Sequence, residues 1–248
     1  MHKEKERIAK IIARAGICSR RDAERLIAEG RVAVNGKVID TPATLVSASD
    51  DDIQVDGQTI PRPEKTRLFL YHKPAGLVTS AKDDQGRETV FDDLPDDLPR
   101  VVSVGRLDLN TEGLLLLTND GELSRYLELP STGWVRTYRV RAYGRPTEGD
   151  LEELAEGISY NGVNYGPIDV SVDRGRGDNT WMTVSLSEGK NREIRYVMEA
   201  IGLRVNRLIR ISYGPFELAD LPISGVSEVP VAVLKRELAP FFRKQEQV

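Results

Sequence analysis

The sequence holds a single cysteine, Cys18, in 248 residues. An internal disulfide is therefore excluded, and with it a stapled secreted scaffold; a reducing compartment is expected. Histidine is almost as scarce, at His2 and His72, so no zinc site of the usual ligand types is expected. The longest leucine run, Leu114 to Leu117, falls far short of the roughly 20 apolar residues that cross a bilayer. The stretch from Met1 to Arg7 is charged and has no apolar h-region, which predicts a cytoplasmic chain with no membrane partner. There is no internal repeat, no low-complexity tract and no glycine-rich phosphate loop. No metal and no cofactor are expected. A net charge of −4 names no anionic partner for the chain as a whole. What remains is ordinary globular composition, 40% apolar and 30% charged, long enough for one small and one medium domain.

The modest net charge conceals segregation. Residues 1–39 carry ten basic against five acidic side chains, residues 132–145 four basic and no acidic, and residues 190–213 six basic against two acidic. Acid collects instead in residues 50–52, 83–97 and 148–156. Basic islands on an acidic background suit a polyanion held on one face, although each island alone is also compatible with a solvated surface.

Ile8, Ile11, Ile12 and Ala15 recur at helical spacing up to Gly16. Ser19 can cap a second helix, answered by Asp22 and stopped at Gly30. Alternating residues then flank Asn35-Gly36, a hairpin signal, and Ile53 to Val55 turns at Asp56-Gly57. The Pro61 to Thr66 stretch reads as an extended linker. Beyond it, strands are predicted at Leu68–Tyr71, Val101–Val104, Leu114–Thr118, Val135–Ala142, Trp181–Leu186 and Val205–Ser212. Helices are predicted at Glu122–Leu129, Glu148–Glu156 behind a Thr147 cap, Asn191–Ile201, and from Val231 into Phe242. Strands and helices do not alternate regularly, so the fold class is α+β with a mostly antiparallel mixed sheet. The expected domains are 1–62 and 68–248, joined by a linker at 63–67.

Arg14, Arg20, Arg21 and Arg25 surround the first helix–turn–helix corner, with Arg31 and Lys37 on the adjoining hairpin, a good phosphate-backbone reader. The runs Ala15-Gly16-Ile17-Cys18-Ser19-Arg20-Arg21-Asp22-Ala23-Glu24 and Gly30-Arg31-Val32-Ala33-Val34-Asn35-Gly36 resemble the S-four (αL) RNA-binding domain. That resemblance covers about a quarter of the chain and makes Arg14, Ser19, Arg20, Arg21, Arg25, Arg31, Asn35 and Lys37 the candidate RNA-binding residues.

A second constellation runs from Gly105-Arg106-Leu107-Asp108-Leu109-Asn110-Thr111-Glu112-Gly113 into the four leucines and Thr118. On chemistry alone, Asp108 is either a turn residue or a carboxylate on a rigid mount facing a cleft. The run resembles the hallmark of ribosomal RNA pseudouridine synthases of the small-subunit-A/large-subunit-B type, and the resemblance makes Asp108 the catalytic aspartate. In the same order, Tyr71 to Gly76 resembles that family's Lys-Pro-x-Gly loop. Trp134 to Val140 resembles the strand of its active-site tyrosine, which maps to Tyr138. Ser187-Glu188-Gly189-Lys190-Asn191-Arg192-Glu193-Ile194-Arg195 resembles its third motif, whose last basic residue, here Arg195, pairs with the aspartate. Arg207 to Arg210 and Tyr213-Gly214-Pro215 resemble the strand and turn that close the pocket. Two departures stand out: Arg192-Glu193 replaces the frequent His-Gln, as in the type-B, large-subunit members of that family, and Tyr196 replaces a frequent second arginine.

The resemblance implies isomerisation of uridine to pseudouridine in ribosomal RNA, preferably of the large subunit, with Asp108 as nucleophile and Tyr138 flat against an extruded uracil. Arg106, Lys73, Lys190, Asn191, Arg192 and Leu208 are the expected substrate-binding residues, with Arg106 and Lys73 either fixing a substrate phosphate or orienting the loop. The expected partner is a hairpin loop or bulge of rRNA, or a pre-ribosomal particle, met by a monomer, because A-form duplex hides its bases. The competing expectations are a non-catalytic RNA-binding or ribosome-assembly factor on the same fold, and a synthase acting on small-subunit rRNA or tRNA.

Overall fold

A computed structural model describes residues 5–173 and 178–246. The chain begins with β1 (Glu6–Arg7), α1 (Ile8–Arg14), α2 (Arg20–Ala28), β2 (Val32–Val34), β3 (Lys37–Val38), β4 (Leu45–Val46), β5 (Ile53–Val55) and β6 (Gln58–Thr59). The Ser19 side chain accepts the Asp22 N–H at 3.1 Å, satisfying one of the unpaired donors at the start of α2. Asn35 and Gly36 both take positive φ (49° and 77°), the geometry that matches hairpin twist. Ile8, Ile11, Ile12, Leu26, Ile27, Val32, Val46, Ile53 and Val55 close a separate small core. The pair β1–β4, two residues long on each side, was too short to show periodicity.

Residues 61–67 form no regular element. The remainder comprises β7 (Leu68–Lys73), β8 (Val102–Ser103), β9 (Glu112–Thr118), α3 (Gly121–Glu128), β10 (Arg136–Tyr143), α4 (Glu148–Glu156), β11 (Ile158–Tyr160), β12 (Val163–Tyr165), β13 (Asp169–Val172), β14 (Asn179–Leu186), α5 (Glu193–Ala200), β15 (Arg204–Tyr213), β16 (Phe216–Glu217), β17 (Val226–Glu228), α6 (Val231–Glu237) and α7 (Ala239–Glu246). One large sheet runs β13-β14-β10-β15-β9-β7-β17, with β8 on β9 and β16 on β15. Every pairing in it is antiparallel except β9 with β15. This is the α+β architecture expected from the sequence.

The four leucines of β9 explain themselves here. Leu115 and Leu117 enter one core with Tyr138, Val140 and Leu208, while Leu114 and Leu116 enter a second with Leu127, Tyr213 and Leu238. A central strand covered on both faces needs a continuous apolar run and not an alternating one.

Two expected helices are corrected. The third-motif helix begins at Glu193 and not Asn191, because Arg192 sits at φ 51°, in the left-handed region. The C-terminal helix is two pieces, separated at Leu238, whose φ and ψ of −109° and 23° leave the helical range.

Candidate active site

The parallel junction of β9 and β15 fixes where Asp108 can stand. Gly113, the residue that ends its loop, pairs with Arg210 at φ 103°, and a Cβ there would lie 2.2 Å from the Arg210 carbonyl oxygen. Only glycine permits the two backbones to approach so closely. On the other side of β15, Tyr138 registers with Arg210 and Val140 with Leu208. The sheet thus brings the tail of the Asp108 loop, Tyr138 and Leu208 together from segments far apart in sequence.

The loop is held from several directions. Thr79 Oγ1 donates to Leu107 O at 2.9 Å and accepts the Leu107 N–H at 3.4 Å. The Gly76 N–H donates to Leu109 O at 2.8 Å, and the Thr111 N–H to Asp108 O at 3.0 Å. Lys73, fully buried, donates from Nζ to Pro74 O at 2.9 Å, Thr111 O at 3.0 Å and Leu109 O at 3.3 Å. Burial pushes the Lys73 ammonium down to about 8, with the charges of Asp108 and Glu112 opposing. Of the two roles expected for Lys73, the substrate-phosphate one is corrected and the loop-orienting one fits: its ammonium is sealed beneath the loop and given to three carbonyls.

Asp108 opens onto a cavity of about 980 Å³, lined also by Arg106, Tyr138, Lys190, Asn191, Arg192 and Leu208. Tyr138 belongs to the buried face of β10 that it shares with Arg136, Val140 and Ala142, yet also reaches the cavity wall. The expected Asp108–Arg195 pair is corrected as well. Arg192 Nη1 lies 3.6 Å from Asp108 Oδ2, whereas Arg195, half-buried, donates to Asn110 O at 3.1 Å and Val205 O at 3.4 Å. The left-handed backbone at Arg192 turns that side chain toward the carboxylate, while Arg195 lies a turn along α5 and grips the loop backbone. Burial lowers the Arg195 guanidinium below its ordinary value, and the Asp108 charge opposes that shift.

The sequence did not single out Thr79, and it gave Gly113, Arg136, Arg210 and Glu193 places in motif runs but no role at the site. Glu193 is buried in the cavity wall and accepts the Lys190 N–H at 2.8 Å; burial pushes its carboxyl up to about 7. Arg136 and Arg210 occupy core-facing register positions on β10 and β15. An arginine on an otherwise apolar strand face was the signal available for them.

In the N-terminal unit, several candidates are already engaged. Arg14 pairs with Glu6, Arg25 with Asp22 and Glu29, and Arg31 with Asp56 and Glu29. Ser19 serves as the helix cap, and Asn35 bonds the Asp51 carboxylate and the Asp52 N–H, so both have structural work. Arg20, Arg21 and Lys37 are exposed and make no ion pair among the described residues. Lys10 bridges Glu6 and Glu122, tying α1 to the start of α3. Among the described residues, no helix is long and apolar enough to cross a membrane, and no His/Cys/Asp/Glu group is placed to hold a metal ion.

Comparison with known proteins accords with this geometry. The RNA pseudouridylate synthase family model matches residues 67–200, and the S4 domain model matches residues 6–52. A Rickettsia felis protein named as an uncharacterized RNA pseudouridine synthase is 48% identical over 93% of this chain and 100% of its own. Proteins of Yersinia pestis and Salmonella typhimurium named ribosomal large subunit pseudouridine synthase B are each 40% identical, over 90% and 92% of this chain and 72% and 80% of theirs. A crystal structure of a pseudouridylate synthase matches with a TM-score of 0.66 at 26% identity, covering 94% of this chain and 99% of that one. With an S4 domain leading into a matched synthase segment that contains Asp108, the chain belongs to the RNA pseudouridine synthase family.

Proposed function

We propose that this synthase isomerises one uridine of large-subunit ribosomal RNA, with Asp108 as the nucleophile. The observation that carries the reading is Asp108 itself, a carboxylate on a loop anchored by Thr79, Lys73, Gly76 and Arg195, open to a cavity beside Tyr138 and Arg192. The preference for the large subunit rests on the two relatives that bear that name.

In the reaction the bond from uracil N1 to ribose C1′ breaks, the base turns, and C1′ rejoins through C5, which loses its proton as N1 gains one. Atoms and electrons balance without an oxidant or a second substrate. Asp108 would hold the nucleotide covalently while the base turns. Tyr138 would offer its ring face to the extruded uracil, and Leu208 would close the apolar side of the pocket. Arg192, 3.6 Å from the Asp108 carboxylate, would hold it in position between turnovers. Arg106, Lys190 and Asn191, on the cavity rim, would contact the flanking nucleotides. Residues 1–62 would act as a tethered second RNA contact through Arg20, Arg21 and Lys37, with 63–67 as the tether and 68–248 as the catalytic domain.

The test is tritium release from 5-labelled uridine in transcripts of large-subunit rRNA, small-subunit rRNA and tRNA. Release from the large-subunit transcript alone is the expected result. Release only from another RNA would redirect the substrate assignment, and release from none would favour a binding or assembly role.

A further inference from the structure

Arg136 and Arg210 are the two arginines buried most deeply in the Asp108 cavity wall, 9% and 3% exposed. Both guanidinium groups lie against the Tyr213 ring, 4.7 and 5.1 Å from its centroid. Arg136 donates to Ser187 O at 2.8 Å, Glu188 O at 3.0 Å and the Tyr213 hydroxyl at 2.8 Å. That hydroxyl in turn donates to Leu127 O at 2.8 Å, fixing the ring between the two cations. Arg210 Nε donates to Leu114 O at 2.7 Å, and its Nη2 is buried with no partner among the described residues.

Neither arginine forms an ion pair among the described residues, whereas Arg139 and Arg207, on the outward face of the same strands, hold Asp173 and Glu112. The cavity does contain carboxylates, and each has a partner other than these arginines, although Glu193 Oε1 is buried without a hydrogen bond among the described residues. Asp108 faces Arg192, Glu188 pairs with Lys190, Glu193 takes the Lys190 N–H, and Glu128 accepts from the Gly105 N–H and Ser124 Oγ. Two buried cations whose partners are all neutral, carbonyls, one hydroxyl and an aromatic ring, are electrostatically incomplete. Their planar donor forks suit the paired oxygens of a phosphate.

We propose that Arg136 and Arg210 form an anion subsite that takes a backbone phosphate of the RNA, at or beside the nucleotide presented to Asp108. The subsite rests on the reading of this cavity as the RNA-modifying centre. It separates two tasks: the exposed arginines of the N-terminal unit supply general affinity, while this buried pair sets how far the strand enters.

The experiment measures equilibrium binding of a large-subunit rRNA transcript to the full chain between about 50 and 200 mM salt, alongside tritium release. Each phosphate contact contributes about 0.7 to 0.9 to the slope of log affinity against log salt. Arg136→Met and Arg210→Met are expected to lose about one such increment, while Arg139→Met, on the outward face, keeps the wild-type slope. Met variants that unfold like the wild type and keep its slope would overturn the proposal, leaving the arginines as struts for Tyr213. Should the Met variants fail to fold, Arg136→Lys and Arg210→Lys decide: a raised KM with kcat retained supports the subsite, and an unchanged KM refutes it. Wild-type protein that shows the slope loss on mutation but releases no tritium from any RNA would refute the proposed function and spare the subsite. Tritium release with unaltered slopes would do the reverse.

Discussion

Lys73→Met separates a residue that touches substrate from one that supports the loop bearing Asp108. In the wild type a fully buried ammonium gives three hydrogen bonds to carbonyls, at 2.9, 3.0 and 3.3 Å. Its depression from 10.5 to about 8 means that burial disfavours the charged form by about 3 kcal/mol. Methionine fills a similar length without that penalty but leaves the Pro74 and Thr111 carbonyls without this donor, at about 1–3 kcal/mol each. The terms nearly cancel, so stability near neutral pH should change by no more than about 3 kcal/mol. The pH dependence is sharper. A lysine whose folded value lies below its unfolded value binds fewer protons when folded, so its contribution to stability rises as pH climbs from about 8 toward 10.5. Urea unfolding should show that rise in the wild type and its loss in Lys73→Met. Tritium release should show kcat reduced by about 10- to 100-fold with KM little changed, because an ångström of slack at a reacting group, the role proposed for Asp108, costs about that much. A raised KM with kcat intact would mean that Lys73 meets substrate after all. A stability difference that stays flat across the titration window would refute the buried-ammonium argument.

Asp108→Asn should abolish tritium release and leave RNA affinity within about threefold in a binding assay, since removing one charge barely alters an interface built on many phosphates. Residual turnover would displace Asp108 from the chemistry. Gly113→Ala should cost about 3 kcal/mol or more and lower the thermal midpoint by at least about 6 °C, because the added Cβ would sit 2.2 Å from Arg210 O. Glu193→Gln should become more stable relative to wild type as pH rises from 4.5 to about 7. A carboxyl raised in the folded state loses its contribution across that interval, and urea unfolding at both ends measures the difference. Deletion of residues 1–60 should weaken RNA binding mainly at low salt while the remainder keeps a cooperative unfolding transition; a truncated chain that cannot fold would refute an independent N-terminal unit.

The legible part of this protein was local. Ser19 and Asp22 around the second helix, Asn35-Gly36 in a hairpin and Thr147 before α4 are short-range chemistry, in which a side chain or a turn satisfies backbone only a few residues away. The Asp108 run was legible for another reason: its residues sit consecutively, so the resemblance could be read along the chain. Short strands with a turn signal or apolar run beside them, such as β2, β3 and β5, were legible; β4, β11 and β17 were not, because so short a segment shows no period of its own and is held by its partner in the fold.

The sequence by itself determined the α+β class, the basic N-terminal unit, and Asp108 and Tyr138 as candidates. Only tertiary structure decided what the cations do. Lys73 and Arg192 both looked like substrate ligands, yet the sheet seals one beneath the loop and a left-handed residue turns the other toward Asp108. Arg195, read as the partner of Asp108, grips the loop backbone at Asn110 instead. Arg136 and Arg210 carry charge into a core face; their place on an apolar strand face was visible in the sequence, but the partners that surround them were not. The physical reason is common to all of these. A charge takes its role from the dielectric and the partners around it, and long-range strand pairing sets both.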